Sequence, residues 1–450
     1  MNDRPDYIRD TIVAPATPPG KGGVGIVRIS GPNAERIAMQ MLGDTPRARH
    51  ATTVSFKDED SLPLDTGIAL YFPAPASFTG ESVLELQAHG GPIIMKTLVE
   101  AAISIGARRA EPGEFSKRAF LNGKLDLAQA EAVADLIDSG TVQAARAAHR
   151  SLQGEFSRRV EALSEMLINL RLHVEAAIDF PEEEIDFLAD DKLHQKLDTC
   201  EKQTTSLLQV AKSGRILRDG LRFVIVGKPN AGKSSLLNLL SGQDAAIVTE
   251  VAGTTRDIIR EQISIDGLAV ELVDTAGLRN DPDRREAEGR RRAKEALASA
   301  DAVLWVQDVT DENHDPTSAE IPADIPIIVI HNKTDLCEPS SPLPKEDIRT
   351  INFSAVTGEG LEALQRAIAA VAGFEDFGEG AFTARQRHVN AIEKAARHFA
   401  AGRSALEADK AGELLAEELR MSLAALGEIT GEFSSDELLG RIFSEFCIGK

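Results

Sequence analysis

The sequence predicts a multidomain α/β protein in which an α+β N-terminal domain precedes an all-α helical domain, and an α/β domain with a mainly parallel sheet is inserted into that helical domain. Its 450 residues suffice for two to four domains at roughly 100–200 residues each. Apolar residues recur at helical spacing on both sides of a central stretch of alternating strands and helices. Such alternation favours a parallel sheet that is covered on both faces.

The composition excludes several functional classes. The chain has 50 Lys and Arg against 71 Asp and Glu, a net charge of −21. This balance argues against a protein that coats nucleic acid by bulk charge, although a local basic patch stays open. No apolar run approaches the roughly 18 residues of a spanning helix, and no signal peptide is visible. The few, scattered cysteines (Cys200, Cys337 and Cys447) favour a cytoplasmic protein without disulfides.

Residues 1–122 form the predicted α+β domain. Short strand-like runs separated by Gly and Pro predict strands at Val24–Ser30 and Gly67–Phe72, with a further candidate at Val83–Leu86. Pro92–Ile105 has the pattern of a helix.

The helical domain is predicted in two parts, residues 123–219 and 376–450. Apolar residues from Val160 to Ile178 recur three or four positions apart, and Lys192–Lys212 predicts a second helix. Near the C-terminus, Leu415–Leu426 repeats this periodicity, as does Leu439–Phe446.

Residues 220–375 form the predicted inserted domain, in which most strands are separated by helical patterns. Its strand-like runs are Arg222–Val226, Ala269–Val273, Ala302–Val306, Ile325–Ile330 and Arg349–Phe353.

A phosphate-binding loop follows the first of these strands. Gly227–Ser234 matches G-x-x-x-x-G-K-[ST] between a strand and the helical run Ser235–Leu240, which is the context that this motif requires. The glycines let backbone N–H groups surround phosphate oxygens. Lys233 would neutralise the β- and γ-phosphates, and the Ser234 hydroxyl would bind Mg²⁺.

Further motifs follow in the order expected of a GTP-binding P-loop domain, a G domain. Asp274–Gly277 can hold the magnesium shell and approach the γ-phosphate, and Thr255 is the candidate switch threonine for Mg²⁺. In Asn332–Asp335, a carboxylate can accept the guanine N1–H and N2–H₂ donors, which disfavours ATP. Ser354 and Ala355 fit the loop that supports the base. The predicted GTP-binding residues are Asn230, Ala231, Gly232, Lys233, Ser234, Ser235, Thr249, Glu250, Val251, Ala252, Gly253, Thr254, Thr255, Asp274, Thr275, Ala276, Gly277, Asn332, Lys333, Thr334, Asp335, Ser354 and Ala355.

The motifs do not identify the residue that orients the attacking water during hydrolysis. Leu278 stands where Ras-like enzymes place a water-orienting Gln. Oxygen atoms of Asn230 and of the loop Ala246–Thr254 suit a hard alkali ion, so potassium could supply the missing positive charge. Glu286 is a candidate water-positioning residue, although residue chemistry alone favours a solvated charge in an Arg- and Glu-rich helix.

Over essentially its whole length the chain resembles the MnmE (TrmE) family of bacterial tRNA modification GTPases. The diagnostic stretches are Thr11–Gly20, Gly22–Gly31, Pro112–Ser116, Arg118–Asn122, Lys124–Ala132 and Cys447–Lys450. The resemblance implies an N-terminal domain that binds a tetrahydrofolate derivative, the 5,10-methylene or 5-formyl form, and that forms a homodimer. It also implies a heterotetrameric complex with the FAD protein MnmG. Together the two proteins would add an aminomethyl or carboxymethylaminomethyl group to C5 of wobble uridine in tRNA.

The resemblance also implies roles for individual residues. Folate contacts fall on Arg28, Glu85, Lys124 and Lys450, and potassium ligands fall on Asn230, Thr249, Val251 and Thr254. The catalytic glutamate falls on Glu286, against the interpretation from residue chemistry alone.

Two alternatives stay open. Cys447 is either a reactive thiol near the folate site or a small residue packed under a helix end. The whole protein is either a tRNA-modifying enzyme or a regulatory GTPase switch in ribosome assembly, and the G domain alone does not separate the two. The N-terminal domain and Cys447–Lys450 favour the enzyme.

Overall fold

The computed structural model of the protein describes residues 10–179, 191–241, 260–265, 267–274, 295–311, 325–337, 349–371, 381–432, 436–444 and 446–449. The chain divides into two compact units, of which one comprises Met1–Ala134 with Ala424–Lys450 and the other comprises Asp135–Leu423. The predicted fold class is confirmed: an α+β N-terminal part and a helical part carry an inserted α/β part with a mainly parallel sheet.

The described strands and helices are numbered in chain order. The strands are β1 (Ile12–Pro15), β2 (Gly22–Ser30), β3 (Thr52–Lys57), β4 (Pro63–Phe72), β5 (Val83–Gly90), β6 (Arg108–Arg109), β7 (Leu221–Val226), β8 (Arg260–Ile265), β9 (Leu268–Asp274), β10 (Ala302–Asp308), β11 (Ile327–Asn332) and β12 (Thr350–Asn352). The helices are α1 (Ala34–Leu42), α2 (Pro92–Ser104), α3 (Glu114–Leu121), α4 (Leu127–Asp138), α5 (Val142–Leu152), α6 (Glu155–Asp179), α7 (Asp191–Asp219), α8 (Lys233–Ser241), α9 (Leu361–Val371), α10 (Gln386–Asp409), α11 (Gly412–Thr430) and α12 (Asp436–Ser444).

The first unit contains a six-stranded sheet in the order β3-β4-β5-β2-β1-β6. Neighbouring strands are antiparallel except for the parallel pair β1–β6. Alternate residues of the strands, such as Val27 and Leu86, form one apolar core with the buried sides of α1 and α2. A second core joins α3 and α4 to α12, and Phe120 lies 6.5 Å from Phe443 between ring centroids.

The second unit contains helices α5, α6, α7 and α10 and the sheet of the inserted domain, whose strand order is β12-β11-β10-β7-β9-β8. All neighbouring strands are parallel except the antiparallel pair β8–β9. Phe223 and Ile225 of β7 belong to one apolar cluster, whereas Val224 and Val226 belong to another. The central strand is therefore apolar on both faces, as the sequence predicts for a covered parallel sheet.

One ion-pair cluster joins the end of α7, where the chain enters the inserted sheet, to the start of α10, where the chain returns to the helices. The Asp135 carboxylate accepts hydrogen bonds from Arg218, at the end of α7, and from Arg385, just before α10, over 2.8 and 2.7 Å. Gly220 then turns the chain into β7 with a φ of +74°, and a Cβ there would lie 2.6 Å from the carbonyl oxygen of Ala269. The chain just before β7 and the chain just before α10 thus meet at the same buried carboxylate.

No helix among these described residues combines the length and the apolar character needed to cross a membrane.

Candidate functional site

The predicted phosphate-binding loop lies between β7 and α8, which is the placement that its motif requires. The backbone is left-handed at Asn230, with a φ of +64°, and at Gly232, with a φ of +98°. A Cβ at Gly232 would lie 2.0 Å from the Asn332 amide nitrogen, so only glycine fits there. Ser234 and Ser235 follow Lys233 in the first turn of α8, whose N-terminus favours bound anions.

Lys233 is buried inside this loop. Its Nζ atom donates to the carbonyl oxygens of Gly227 and Lys228 over 2.8 and 2.7 Å. The two carbonyl groups hold the ammonium at the centre of the loop, where it can neutralise phosphate charge.

Asn332, the last residue of β11, joins three loops. Its amide nitrogen donates to the Ala231 carbonyl oxygen over 2.8 Å, and its amide oxygen accepts the Ala355 N–H over 3.1 Å. The side chain is buried, with 2% of its surface exposed. Asn332 therefore fixes the phosphate loop and the two predicted base-binding loops relative to one another.

Asp335 carries the carboxylate predicted to select guanine. The Ser354 hydroxyl donates to Asp335 Oδ1 over 2.6 Å. Ser354 is fully buried, and its Oγ atom accepts N–H bonds from Val356 and Thr357 over 3.3 and 3.2 Å. The carboxylate is thus oriented by the protein and keeps oxygen lone pairs that can accept from N1–H and N2–H₂ of guanine.

One acidic residue at the end of β10 and one just beyond it complete the arrangement, and our sequence reasoning missed both. Asp308 forms an ion pair with Lys333 over 2.6 Å, and Asp311 forms one with Lys228 over 2.9 Å. Burial would raise the pKa of Asp308, but hydrogen bonds from Lys333 and Thr310 outweigh burial and leave this pKa below its ordinary value. Their position at the carboxyl end of a parallel strand was the available signal, since ligands bind at that edge of α/β sheets.

The structure thus brings the predicted phosphate and base loops to one edge of the sheet. Asp274 is the last residue of β9 and pairs in register with Ile225 of β7, next to the phosphate loop. Predicted residues outside the described part of the chain are Thr249, Glu250, Val251, Ala252, Gly253, Thr254, Thr255, Thr275, Ala276, Gly277, Glu286 and Lys450.

The candidate folate residues of the first unit include a close charged pair. Arg28 on β2 and Glu85 on β5 face each other in register, and their side chains are 2.8 Å apart. The Arg28 guanidinium carbon also lies 5.7 Å from the ring centroids of both Phe78 and Phe115. Aromatic rings, a cation and a carboxylate therefore meet at one partly exposed place on the sheet.

Lys124 and the C-terminal segment contact other parts of this unit. Lys124 Nζ donates to the Pro75 carbonyl oxygen over 3.2 Å. Ile448 pairs with Pro112 as an isolated β-bridge, and a Cβ at Gly449 would lie 2.0 Å from the carbonyl oxygen of Pro15. Since Pro15 lies on β1, beside the strand that carries Arg28, the chain approaches the candidate folate residues just before Lys450.

The cysteines differ in their surroundings. Cys447 is exposed, and its carbonyl oxygen accepts the Gly113 N–H over 3.3 Å. Cys200 on α7 is buried, and burial raises the pKa of its thiol to about 11. The exposure of Cys447 favours an accessible thiol over a packed side chain.

A buried arginine in the first unit binds three carboxylates. Our sequence reasoning did not predict this cluster. Arg118 is 1% exposed and forms ion pairs with Asp10, Glu114 and Glu81 over 2.6, 2.9 and 3.1 Å. Glu81 also accepts the Ser30 hydroxyl over 2.7 Å. The partners lie up to 108 positions away, so only the diagnostic stretch around Arg118 marked this residue beforehand.

Comparisons with known proteins cover nearly the whole chain. A family model described as the MnmE helical domain matches residues 127–447, and one described as the GTP-binding protein TrmE N-terminus matches residues 11–124. A protein of Vibrio cholerae serotype O1 (strain ATCC 39315 / El Tor Inaba N16961) named tRNA modification GTPase MnmE is 54% identical over 450 residues. Proteins of the same name from Proteus mirabilis (strain HI4320) and Vibrio vulnificus (strain YJ016) are 53% and 52% identical. Each comparison covers 98% of this chain and 99% of the relative.

Proposed function

The chain belongs to the MnmE (TrmE) family of tRNA modification GTPases, and from this premise we propose that it is a cytoplasmic, potassium-stimulated GTPase that modifies wobble uridine in tRNA with MnmG. We propose the division into a folate-binding and dimerising domain at 1–122, a helical domain at 123–219 and 376–450, and a G domain at 220–375.

The observation that carries the guanine specificity is the hydrogen bond from Ser354 to Asp335. Adenine lacks the 2-amino group and has an acceptor at N1, so it offers this carboxylate no donor there. Asn332 links the base-binding loops to the phosphate loop, which supports one nucleotide spanning both.

For hydrolysis, Glu286 would orient the attacking water, because Leu278 has no group that can do so. Oxygen ligands suit hard cations, so Ser234 and Thr255 would hold Mg²⁺. Potassium would be held by Asn230, Thr249, Val251 and Thr254. When bound, these cations would offset the negative charge that develops on the phosphate oxygens.

For the modification itself, Arg28, Glu85, Lys124 and Lys450 would bind a 5,10-methylene- or 5-formyl-tetrahydrofolate. Lys124 and Lys450 suit the carboxylates of the glutamyl tail, and Glu85, which is paired with Arg28, suits the N–H donors of the pterin ring. The exposed ring of Phe78 beside Arg28 supports an aromatic ligand at this place. Cys447 would serve as a reactive thiol, and FAD belongs to MnmG.

A homodimer would cover part of the first unit's sheet. Ile68 and Gln87 are paired in register on the face opposite the α1 and α2 core, as are Gln87 and Ile26. Ile68 is 38% exposed there. The isoleucines Ile26 and Ile68, on the face that also carries the Arg28 pair, support contact with a second copy.

The direct test is mass spectrometry of wobble-uridine nucleosides from cells with and without this protein. The proposal expects the 5-aminomethyl or 5-carboxymethylaminomethyl forms to disappear without the protein. The wild type should restore them, and the Asp274→Ala variant should not. An unchanged nucleoside profile, in cells without a redundant pathway, would contradict the proposal and bring the regulatory switch in ribosome assembly forward.

The catalytic part has its own test. Replacing potassium by sodium at equal ionic strength should slow GTP hydrolysis, and Glu286→Ala should abolish potassium-stimulated turnover while leaving GTP affinity. Equal rates in both salts would remove the potassium proposal, and unchanged turnover would remove Glu286 from the mechanism.

A further inference from the structure

The segment Asp308–Asp311, which begins at the last residue of β10, carries two carboxylates, and each holds a lysine of a different loop. Asp308 binds Lys333 of the base-binding loop, and Asp311 binds Lys228 of the phosphate loop. We propose that Asp308 is a positioning residue for guanine selection, which acts through Lys333 on the Asp335 carboxylate. The proposal rests on the proposed guanine site and extends it to a residue on a neighbouring strand.

The Asp308 carboxylate is itself fixed. Its Oδ1 atom accepts the Thr310 N–H over 3.0 Å and the Thr310 hydroxyl over 2.6 Å, while Oδ2 binds Lys333 Nζ. Asp308 pairs in register with Asn332, whose carbonyl oxygen accepts the Val309 N–H over 3.0 Å. Because protein donors engage both oxygens, Asp308 is suited to hold Lys333 and not to bind the base directly.

Lys333 needs such an anchor. Its φ of +70° places a residue with a long side chain in the left-handed region, which residues other than glycine disfavour. The ion pair holds the side chain, and Phe353 accepts the next N–H, that of Thr334, over 3.2 Å. The turn at Lys333 sets the direction of the following residues, and the Asp335 carboxylate then meets Ser354.

Asp311 offers a matched control. It lies three positions away, has the same charge, and pairs with a lysine over a similar distance. Its partner Lys228 belongs to the phosphate loop, where its carbonyl oxygen accepts Lys233. A change at Asp311 therefore alters the charge of the same segment and spares the ion pair of the base-binding loop.

The test measures the binding of GDP and of inosine diphosphate to the full-length protein and its variants. Inosine lacks the 2-amino group, so the ratio of the two dissociation constants reports one donor to Asp335. In Asp308→Asn, we expect the GDP dissociation constant to rise about tenfold and the inosine diphosphate constant by less than about threefold, so that discrimination falls. In Asp311→Asn, both constants should change by the same factor and the ratio should stay as in the wild type.

A double-mutant cycle with Lys333→Met tests whether Asp308 acts through Lys333. If Asp308 acts through Lys333, the Asp308→Asn change should have little further effect on GDP binding in the Lys333→Met background. An undiminished effect there, or an unchanged ratio of constants in Asp308→Asn, would overturn the proposal. Should Asp308→Asn fail to fold, Thr310→Val removes one hydrogen bond to the same carboxylate and should shift the ratio in the same direction. A wild type without GDP affinity would instead refute the proposed guanine site.

Discussion

Ser354 shows at the residue scale how one hydroxyl prepares a binding group. It accepts two backbone N–H bonds from the turn that follows and donates its own proton to Asp335. The carboxylate is therefore oriented before any nucleotide arrives, which reduces the ordering that binding requires.

We predict that Ser354→Ala weakens GDP binding about five- to tenfold, because the loss of one hydrogen bond to a charged group costs on the order of 1 kcal/mol. Equilibrium titration with a fluorescent GDP checks this. Val356→Ala is the control, since Val356 belongs to the same turn and its side chain is exposed. Equal weakening in both variants would attribute the effect to the turn and not to the hydroxyl.

Individual residues of the two units show which positions could be predicted from the sequence and which could not. Gly232, Lys233 and Asp335 belong to short motifs next to strands, so their placement follows from local patterns. Asp308 and Arg118 act through partners that are distant in sequence, 25 positions for Lys333 and 108 for Asp10. No periodicity connects such pairs, because the fold alone brings them together.

At the scale of elements, the apolar central strands of the inserted domain were predicted well, whereas its polar edge strand β8 was missed. β7, β9 and β10 are apolar runs, and each was predicted to within two residues at each end. β8 begins Arg260-Glu261-Gln262 and lies at the edge of the sheet, antiparallel to β9. An edge strand is covered less completely than a central one, so its sequence needs less apolar character.

The Asp135 cluster gives a prediction at this scale. Its carboxylate is almost fully buried and accepts from both Arg218 and Arg385. We predict that Asp135→Asn lowers the free energy of unfolding by about 3 kcal/mol, because both guanidinium groups lose a buried carboxylate that faces them. Urea denaturation measures the change. Asp138→Asn, an exposed position on the same helix, should alter stability by less than about 0.5 kcal/mol, and an equal loss in both variants would contradict the role of the cluster.

For the whole molecule, net charge and paired carboxylates have opposite effects on stability as the pH falls. The net charge of −21 produces self-repulsion at pH 7, which protonation reduces. Burial would raise the pKa values of Asp10 and Glu114, but hydrogen bonds from Arg108 and Arg118 hold both pKa values below the ordinary range. In unfolded chains these carboxyl groups titrate near pH 4.

The sign of the acid effect follows from these shifts. A carboxyl group whose pKa is lower in the folded protein than in the unfolded chain stabilises the fold above about pH 4, and this stability is lost as the pH falls through the folded pKa. We therefore predict that stability changes little between pH 7 and about 5 and falls steeply below about 4. In Glu114→Gln, stability at pH 7 should be lower by about 3 kcal/mol, because Arg108 and Arg118 lose a buried partner. The decline in stability below pH 4 should be shallower in this variant, since the introduced glutamine has no carboxyl group that takes up a proton on unfolding.

Urea titrations at each pH between 3 and 8 measure both effects. Glu100→Gln is the matched control, because Glu100 is exposed and its nearest cation, that of Lys96, is 3.7 Å away. This control should follow the wild-type curve, since exposed pairs contribute little to stability. An acid slope in Glu114→Gln as steep as that of the wild type would show that the Arg118 network is not what fails in acid. The decline would then have to come from the other carboxyl groups with lowered pKa values, such as Asp65 and Asp308.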